Sequence, residues 1–351
     1  MSLNPPGWWY GAPTITNRLI AGMLHPAGKI YSWVTIRRFN TTSSWTAPIP
    51  VICVGNLTAG GTGKTPLARA VAKRLTEAGH KPAFLSRGYK GTIAQPTWVN
   101  TGSHTATDVG DEPLLLAQDN PTMIARNRAD GVRAITETDR AIDVVIMDDG
   151  LQNPQLAKNL VIAVVDGERG FGNQRVIPAG PLRADLQTQL EWVDLVLINE
   201  RSAARKTEPA AWRSRLNGPV GHMHIEAEKP PPEVLEKPVI AFCGIGNPNG
   251  FFETLRTNTI TPVRKTIFND HHVLSRAEVE SLLKAADDHG AELITTEKDV
   301  ARLDLRRTDH AELAKRVHAL KIEMVFDEDT EAELKKRLAH LFVQHTKAPP
   351  R

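Results

Sequence analysis

Short runs of apolar residues recur along this chain and alternate with segments in which apolar residues repeat every three or four positions. Continuous apolar runs are typical of strands buried on both faces of a parallel sheet, whereas the longer repeat is typical of helices. The alternation predicts an α/β protein. The predicted strands are 50–56, 83–85, 122–125, 144–147, 160–165, 193–198, 239–243, 291–296 and 322–326, and the predicted helices include 251–255, 275–286 and 331–343.

The first 45 residues carry a helical pattern without strands. Apolar residues from Ile15 to Leu24 follow helical spacing, Pro26 interrupts them, and a second group runs from Ile30 to Phe39. Because proline breaks or kinks a helix, the pattern predicts two short helices. Two interpretations stay open for them: a segment that lies on a membrane surface, or a helix pair that packs on the protein's own core.

Composition sharpens the picture of this segment. The chain has 351 residues, 41% apolar and 24% charged, which is typical of globular proteins and excludes fibrous or disordered classes. The net charge of +3 hides an asymmetry, because the first acidic residue is Glu77. Basic side chains beside early tryptophans suit the interface of an anionic membrane. These residues are Trp8, Trp9, Tyr10, Tyr31, Trp33 and Trp45, with Arg18, Lys29, Arg37 and Arg38.

The cysteines and the hydropathy indicate the cellular compartment. Cys53 and Cys243 lie far apart in apolar stretches, so the sequence indicates no disulfide framework. It also shows no secretory signal and no apolar run long enough to span a bilayer. We therefore expect a cytosolic topology.

A glycine-rich loop follows the first predicted strand. The run Leu57–Pro66 reads LTAGGTGKTP and leads into a helix, which is the context that a phosphate-binding loop requires. Lys64 would reach the β- and γ-phosphates and Thr65 would ligate Mg²⁺. Thr58 stands where the usual pattern has glycine, and a glycine-rich turn without a ligand is the alternative. The predicted nucleotide-binding residues are Thr58, Ala59, Gly60, Gly61, Thr62, Gly63, Lys64 and Thr65.

Two carboxylates follow the predicted strand 144–147. Asp148 and Asp149 lie at its carboxyl end, the edge at which open α/β sheets bind ligands. We predict that Thr65, Asp148 and Asp149 form a Mg²⁺ site, although the sequence does not decide which aspartate contacts the ion. An ordinary turn is the alternative.

Two other short segments do not match the nucleotide-binding motifs that they approach. Gly244–Gly246 lacks the third glycine of a dinucleotide-binding loop, and Thr296–Asp299 has the wrong residue order for guanine recognition.

These features predict four segments. We predict that residues 1–45 form the N-terminal amphipathic helices of either interpretation above, 46–205 a P-loop NTPase-type domain with a parallel sheet, 206–235 a linker, and 236–351 a second, smaller α/β domain. The linker prediction rests on a polar stretch that contains Pro230–Pro232.

Eight strings in series resemble the tetraacyldisaccharide 4'-kinase family, the lipid A 4'-kinases of Gram-negative bacteria. They are VGNLTAGGTGKTP (54–66), LSRGYKG (85–91), VGDEP (109–113), MDDGLQN (147–153), IPAGPLR (177–183), AFCGIGNP (241–248), FNDHH (268–272) and LITTEKDVARL (293–303). The family uses this variant loop, which accounts for Thr58. Leu151, Asn153, Asn269 and Ala184 depart from the family pattern, so the resemblance does not extend to their local substrate contacts, although it still implies the reaction.

The resemblance implies transfer of the γ-phosphate of ATP to the 4'-hydroxyl of a tetraacyl glucosamine disaccharide 1-phosphate, giving lipid IVA. It implies that Lys64 acts on the phosphates, that Asp111 takes the proton of the hydroxyl, and that His271 holds or polarises Asp111 from the second domain. From the residues alone, Asp111 is equally a helix N-terminal acid and His271 a loop histidine. Arg87, Arg128 and Arg183 are candidates for anionic groups of either substrate.

The resemblance also implies ATP and Mg²⁺ as cofactors and the cytoplasmic face of the bacterial inner membrane as location. The expected partners are the acylated disaccharide and an anionic membrane surface, with no nucleic acid and no protein partner inferred. Two other classes stay open: a P-loop enzyme acting on a soluble small molecule, and a regulatory nucleotide-binding module.

Overall fold

The computed structural model describes residues 6–12, 14–138, 140–200, 212–216 and 218–345, with side chains to 343. The strands are β1 Val51–Asn56, β2 Pro82–Ser86, β3 Thr97–Trp98, β4 Thr122–Ile124, β5 Val144–Asp148, β6 Leu160–Asp166, β7 Leu195–Glu200, β8 Val220–Ala227, β9 Val239–Cys243, β10 Arg264–Ile267, β11 Glu292–Thr296, β12 Val317–Leu320 and β13 Ile322–Phe326. The helices are α1 Gly7–Tyr10, α2 Ile15–Thr41, α3 Lys64–Glu77, α4 Ala106–Val109, α5 Asp111–Leu116, α6 Arg128–Thr136, α7 Leu186–Leu190, α8 Pro232–Glu236, α9 Pro248–Thr257, α10 Arg276–His289, α11 Glu297–Ala301, α12 Thr308–Arg316 and α13 Glu328–His345.

A large sheet contains β1 and β5, the strands that precede the glycine-rich loop and the two aspartates. Among the described residues its strand order is β13-β8-β7-β6-β1-β5-β2-β4-β3, parallel except for β3 and β13 at the two edges. β1, β5 and the first six residues of β6 are buried throughout, because apolar clusters cover both faces of the sheet. The predicted α/β class with a parallel central sheet is confirmed, and the carboxyl ends of β1 and β5 lie side by side.

A smaller parallel sheet has the order β10-β9-β11-β12 within the described chain. α10 packs against it and begins with the predicted capping box, in which Ser275 and Glu278 satisfy each other's backbone N–H groups. This sheet lies within 236–351, the range predicted as the second α/β domain. That range is wrong at its end, because β13 pairs with β8 of the large sheet and α13 packs against β8.

The predicted linker 206–235 is wrong over 220–227, because these residues form β8 of the large sheet. β8 pairs in parallel with β7 and antiparallel with β13, so the chain returns from the smaller sheet to the larger one. The ion pair of Arg74 with Glu331, with atoms 2.6 Å apart, also joins α3 to α13. Residues 206–211 and 217 lie outside the described residues. The four-segment division otherwise stays a prediction.

The two predicted N-terminal helices are instead one helix, α2, with Pro26 inside it. Contacts on both sides of the proline hold it to the loop before α7. Arg175 donates to the carbonyl of Ala21 at 3.0 Å, and the N–H of Asp185 donates to the hydroxyl of Ser32 at 2.9 Å. This shared support explains why the helix continues despite one lost backbone hydrogen bond.

The apolar side chains of α2 and the early tryptophans have different surroundings. Five large apolar side chains of α2 are 60–79% exposed, whereas the indole N–H groups of Trp8 and Trp9 donate to the carbonyl of Pro178 at 3.3 and 3.1 Å. Trp45 packs against the core. Trp8, Trp9 and Trp45 thus contact the protein itself, whereas these five side chains of α2 face outward. The exposed residues are Ile15, Leu19, Met23, Ile30 and Trp33.

Within the described part of the chain, none of the helices is both long enough and apolar enough to cross a membrane.

Candidate active site

The glycine-rich loop connects β1 to α3 at the carboxyl edge of the large sheet. Gly60 and Gly63 have φ values of 120° and 98°, a backbone region that suits glycine. Asn56 and Asn199 fix the loop from behind by donating to the carbonyls of Gly60 and Thr62 at 3.1 and 3.0 Å. A Cβ added at Gly60 would meet nothing within 4 Å. The loop thus presents an open face and the N-terminus of α3, as phosphate binding requires.

Thr58 and Ala59, at the start of the loop, make backbone contacts with a later segment of the chain. The N–H of Ala59 donates to the carbonyl of Pro181 at 2.8 Å, and Thr58 pairs with Leu182 in an isolated antiparallel bridge. Pro181 and Leu182 belong to the IPAGPLR string. The backbone contact explains why the variant at position 58 still gives an ordered loop.

Positive charges converge beside the loop. Lys64 Nζ lies 3.9 Å from Asp149 Oδ1, and Arg183 donates to both oxygens of Asp149 at 2.9 and 3.2 Å. Burial raises the pKa of Asp149, but the charges of Lys64 and Arg183 outweigh it and lower that pKa to about 2. Asp149 is therefore ionised and holds the lysine at the mouth of the loop.

Thr65, just after the loop, contacts Asp148 at the end of β5. The Thr65 hydroxyl donates to Asp148 Oδ2 at 3.4 Å, and the buried Oδ1 has no hydrogen-bond partner among the described residues. Burial, and secondarily the charge of Glu112, raise the pKa of Asp148 to about 7. A divalent cation would relieve both features. Mg²⁺ fits this donor set because it uses few protein ligands and takes the rest from phosphates and water.

Asp111 and His271 meet across the two sheets, as predicted. Asp111 is the first residue of α5, and His271 lies after β10 with a φ of 62°. His271 Nδ1 lies 2.9 Å from Asp111 Oδ2, and both side chains are largely buried. The structure thus brings together the two residues that the family resemblance paired.

The surroundings of Asp111 argue against its predicted role as proton acceptor. Its Oδ1 accepts the N–H of Glu112 at 3.0 Å, while its Oδ2 faces His271 and Arg302. Burial opposes ionisation, but the His271 hydrogen bond and the Arg302 charge outweigh it and hold the pKa of Asp111 well below its usual range. A carboxylate so stabilised is a weak base.

The dyad and the phosphate loop belong to one site. α5 packs against α3, whose first residue is Lys64. The pKa of Glu112, next to Asp111 in the chain, is lowered first by Lys298 and further by Lys64. The Asp111–His271 pair therefore lies near Lys64 at the start of α3.

Sequence reasoning missed the role of residues 297–302. Lys298 Nζ lies 2.7 Å from Glu112 Oε1, Arg69 lies 3.0 Å from Glu297, and Arg302 contacts Asp111. This turn joins the smaller sheet to α3 and α5. The available signal was the string LITTEKDVARL itself, because a dense charged run directly after a buried strand lies at the ligand-binding edge of a sheet.

The three candidate arginines occupy different places. Arg183 pairs with Asp149, and Arg87 is exposed. Arg128 is buried and donates to the carbonyl of Ala125 at 2.7 Å. Burial, together with the charge of Arg87, lowers the pKa of Arg128 to about 10.

A parallel sheet, a glycine loop that opens a helix, and the Thr65–Asp148 pair define a P-loop nucleotide-binding enzyme. The profile of the tetraacyldisaccharide-1-P 4'-kinase family matches residues 20–339. The chain belongs to this family.

Curated relatives and a solved structure agree. A tetraacyldisaccharide 4'-kinase of Rhodopseudomonas palustris (strain BisB18) is 41% identical over 330 residues, which cover 93% of each chain. One of Methylorubrum extorquens (strain PA1) is 42% identical over 341 residues, covering 97% of this chain and 99% of the relative. The crystal structure of LpxK from Aquifex aeolicus in complex with ATP superposes with a TM-score of 0.72 at 25% identity, over 92% of this chain and 99% of that one.

Proposed function

We propose that this protein transfers the γ-phosphate of ATP to the 4'-hydroxyl of a tetraacyl glucosamine disaccharide 1-phosphate, forming lipid IVA in lipid A biosynthesis. The observation that carries the proposal is that α5, which begins at Asp111 beside His271, packs against α3, the helix into which the open glycine loop leads. Phosphoryl transfer to an alcohol needs both parts: a cradle for the phosphates and a group that takes the proton of the hydroxyl.

The direct test uses the purified protein with ATP labelled at the γ-phosphate and the tetraacyl disaccharide 1-phosphate in detergent. We expect label at the 4' position of the lipid and one ADP for each lipid product. ATP binding without transfer would support the regulatory nucleotide-binding module instead. Turnover of a soluble acceptor without lipid or detergent would support the small-molecule kinase.

In the proposed reaction the 4'-oxygen bonds to the γ-phosphorus while the bond to the β–γ bridging oxygen breaks and ADP leaves. Lys64, the loop N–H groups of residues 60–65 and the N-terminus of α3 stabilise charge on the phosphates. Ionised Asp111 only accepts hydrogen bonds, so His271 Nδ1 must carry the proton between them. Its Nε2 is then the atom that takes the proton of the hydroxyl, and Asp111 orients the ring.

Mg²⁺ would be held by Thr65 and Asp148, with Asp149 beside them, and would supply charge neutralisation for the phosphates. The unpartnered Oδ1 of Asp148 supports Asp148 as the aspartate nearer the ion. Asp149 is already paired with Arg183 and Lys64.

Replacing Asp148 by asparagine is expected to raise the Mg²⁺ concentration for half-maximal activity at least about tenfold, because a neutral amide attracts the cation less. The measurement is a Mg²⁺ titration of the kinase rate at saturating ATP. Asp143→Asn is the matched control, since Asp143 lies just before the opposite end of β5, beside His80. Equal Mg²⁺ dependence in Asp148→Asn and the wild type would contradict the assignment.

We further propose that α2 holds the enzyme on the cytoplasmic face of the bacterial inner membrane. Its exposed apolar side chains recur at helical spacing from Ile15 to Trp33, and the helix and its flanks carry no acidic residue. Arg37 lies over the Trp33 ring at 5.4 Å, so a cation and an indole are presented together. An acylated, anionic substrate would be met at such a surface.

Changing Leu19 and Met23 together to glutamate is expected to weaken binding to vesicles that contain anionic lipid by at least about tenfold. The reason is that each apolar side chain contributes about 1.5–3 kcal/mol when it is fully buried. Vesicle sedimentation measures the effect. Leu305→Glu is the matched control, because Leu305 is 63% exposed but far along the chain, after α11. Unchanged sedimentation of the double variant would overturn the assignment of α2.

A further inference from the structure

Arg302 is a buried guanidinium at the junction of the two sheets. Its side chain is 3% exposed, its Nε donates to Asp111 Oδ2 at 2.8 Å, and its Nη2 lies 2.7 Å from the same oxygen. Arg302 follows α11, in the smaller unit, whereas Asp111 begins α5, in the larger one. This contact is therefore made only when the two units are together.

The guanidinium is fixed from within the smaller unit. Its Nη1 donates to Asp299 Oδ1 at 2.7 Å and to the carbonyl of Gly244. The other oxygen of Asp299 accepts the Thr296 hydroxyl at 2.6 Å. A buried charge is tolerated when it is paired and hydrogen-bonded, and here the partners also fix its direction.

The same anchor holds the histidine. The N–H of His271 donates to the carbonyl of Gly244 at 3.1 Å, so the turn that carries His271 and the guanidinium of Arg302 share one acceptor. Both then converge on Asp111 Oδ2. Displacing Arg302 would free the carboxylate on one side and loosen the anchor of the histidine on the other.

We propose that Arg302 is a positioning residue for phosphoryl transfer, which fixes the Asp111 carboxylate in place so that His271 keeps Nδ1–H on Asp111 and directs Nε2 to the acceptor hydroxyl. The inference rests on the proposed kinase function and assigns to Arg302 no contact with either substrate.

Charged groups around the dyad set how its activity depends on pH. Asp270 lies 3.6 Å from His271 Nε2 and 4.0 Å from Arg302, while Lys298 and Glu112 pair with each other next to Asp111. The Tyr89 ring also faces His271, with centroids 6.1 Å apart, and Asp299 faces Arg302 from behind. Arg302 and Lys298 are the cations that offset these carboxylates. Removing the Arg302 charge makes the dyad bind protons more readily. As the pH is lowered, activity should therefore be lost at a higher pH than in the wild type.

Three variants test the proposal: Arg302→Lys, Arg302→Gln and the control Arg306→Gln. Arg306 lies four residues away, is exposed and pairs with Asp304. We expect Arg302→Lys to lower kcat about ten- to hundredfold with little change in KM for ATP, because lysine keeps the charge but not the geometry. The acidic limb of its pH–rate profile, the fall of kcat at low pH, should stay unchanged. Arg302→Gln should also move the acidic limb to higher pH by about one unit. Arg306→Gln should match the wild type.

A double variant separates positioning from support of the fold. In an Asp111→Asn background, Arg302→Lys should cost less than about threefold, because the carboxylate that it positions is gone. Losses that multiply fully would overturn the proposal, as would unaltered kcat and acidic limb in both Arg302 variants of an active enzyme. If Arg302→Gln does not fold, Arg302→Lys and the double variant decide. An inactive wild type would instead overturn the kinase function on which the inference rests.

Discussion

Replacing Lys64 by alanine is expected to lower the rate of phosphoryl transfer at least about 10²–10³-fold at saturating ATP. Lys64 begins α3, and its Nζ lies 3.9 Å from Asp149 Oδ1 at the mouth of the loop. Asp149 holds the ammonium there, and Arg183 on the same carboxylate leaves this group of side chains with a net positive charge. This position fits the proposed role of the lysine at the β- and γ-phosphates, whose charge must be stabilised as the γ-phosphoryl group transfers.

The measurement is ADP formation with the acceptor lipid present. Lys73→Ala is the matched control, since Lys73 lies on the same helix and pairs with Glu323 at the surface, where both side chains are more than half exposed. Exposed ion pairs contribute little to stability, so the control should fold and turn over normally. Turnover by Lys64→Ala at the wild-type rate would refute the phosphate-loop mechanism.

The phosphate loop could be predicted from the sequence because its determinants are local. Glycine is the residue that readily adopts the positive φ values of Gly60 and Gly63, and the apolar runs of β1 and β5 indicate strands buried on both faces. Parallel neighbours place their carboxyl ends together, so the approach of Asp148 to Thr65 followed from the same rule.

β8 was missed although its sequence carries a signal. Gly221 and Met223 are buried, whereas His222 and His224 are only partly buried. This alternation along the sequence is typical of a strand with one covered face. The neighbouring prolines at 230–232 favoured a linker instead. That β13 would return to pair with β8 depends on contacts about a hundred residues apart, which no local pattern encodes.

The N-terminal segment shows how far composition alone reaches. A set of aromatic and basic residues predicted a membrane interface, but Trp8, Trp9 and Trp45 contact the protein while Trp33 is exposed on α2. Composition does not show whether an indole donates its N–H to a loop carbonyl of the protein or faces outward. The distinction depends on Pro178, far along the chain.

The Asp111–His271 contact was predicted through the family resemblance, whereas the network around it was not. Arg302 and Lys298 lie in a charged run that local reasoning treats as a solvated surface. Only the packing of α11 against α5 brings these side chains to Asp111 and Glu112. Their presence changes the interpretation of the dyad, because their charges help to lower the pKa of Asp111. In the proposed mechanism Asp111 therefore orients His271 and does not take the proton itself, as the resemblance implied.

Replacing His271 by glutamine, or Asp111 by asparagine, is expected to lower kcat about 10²–10⁴-fold with little change in KM for ATP, because proton transfer is needed in the transition state and not for binding. The two losses should not multiply: Asp111 acts through His271, so the double variant should be about as slow as His271→Gln alone. The measurements are kcat and KM for each variant at saturating acceptor lipid.

His272→Gln is the matched control, because the adjacent imidazole pairs with Glu278 at 3.0 Å and stacks on Phe268, away from Asp111. It should keep wild-type turnover. The order of the single variants tests the assignment of the proton. If His271 Nε2 is the acceptor, His271→Gln is the slower enzyme, and Asp111→Asn retains residual catalysis by an imidazole that has lost its orientation. A slower Asp111→Asn would return the role of base to the carboxylate, and a change confined to KM would assign the pair to substrate binding.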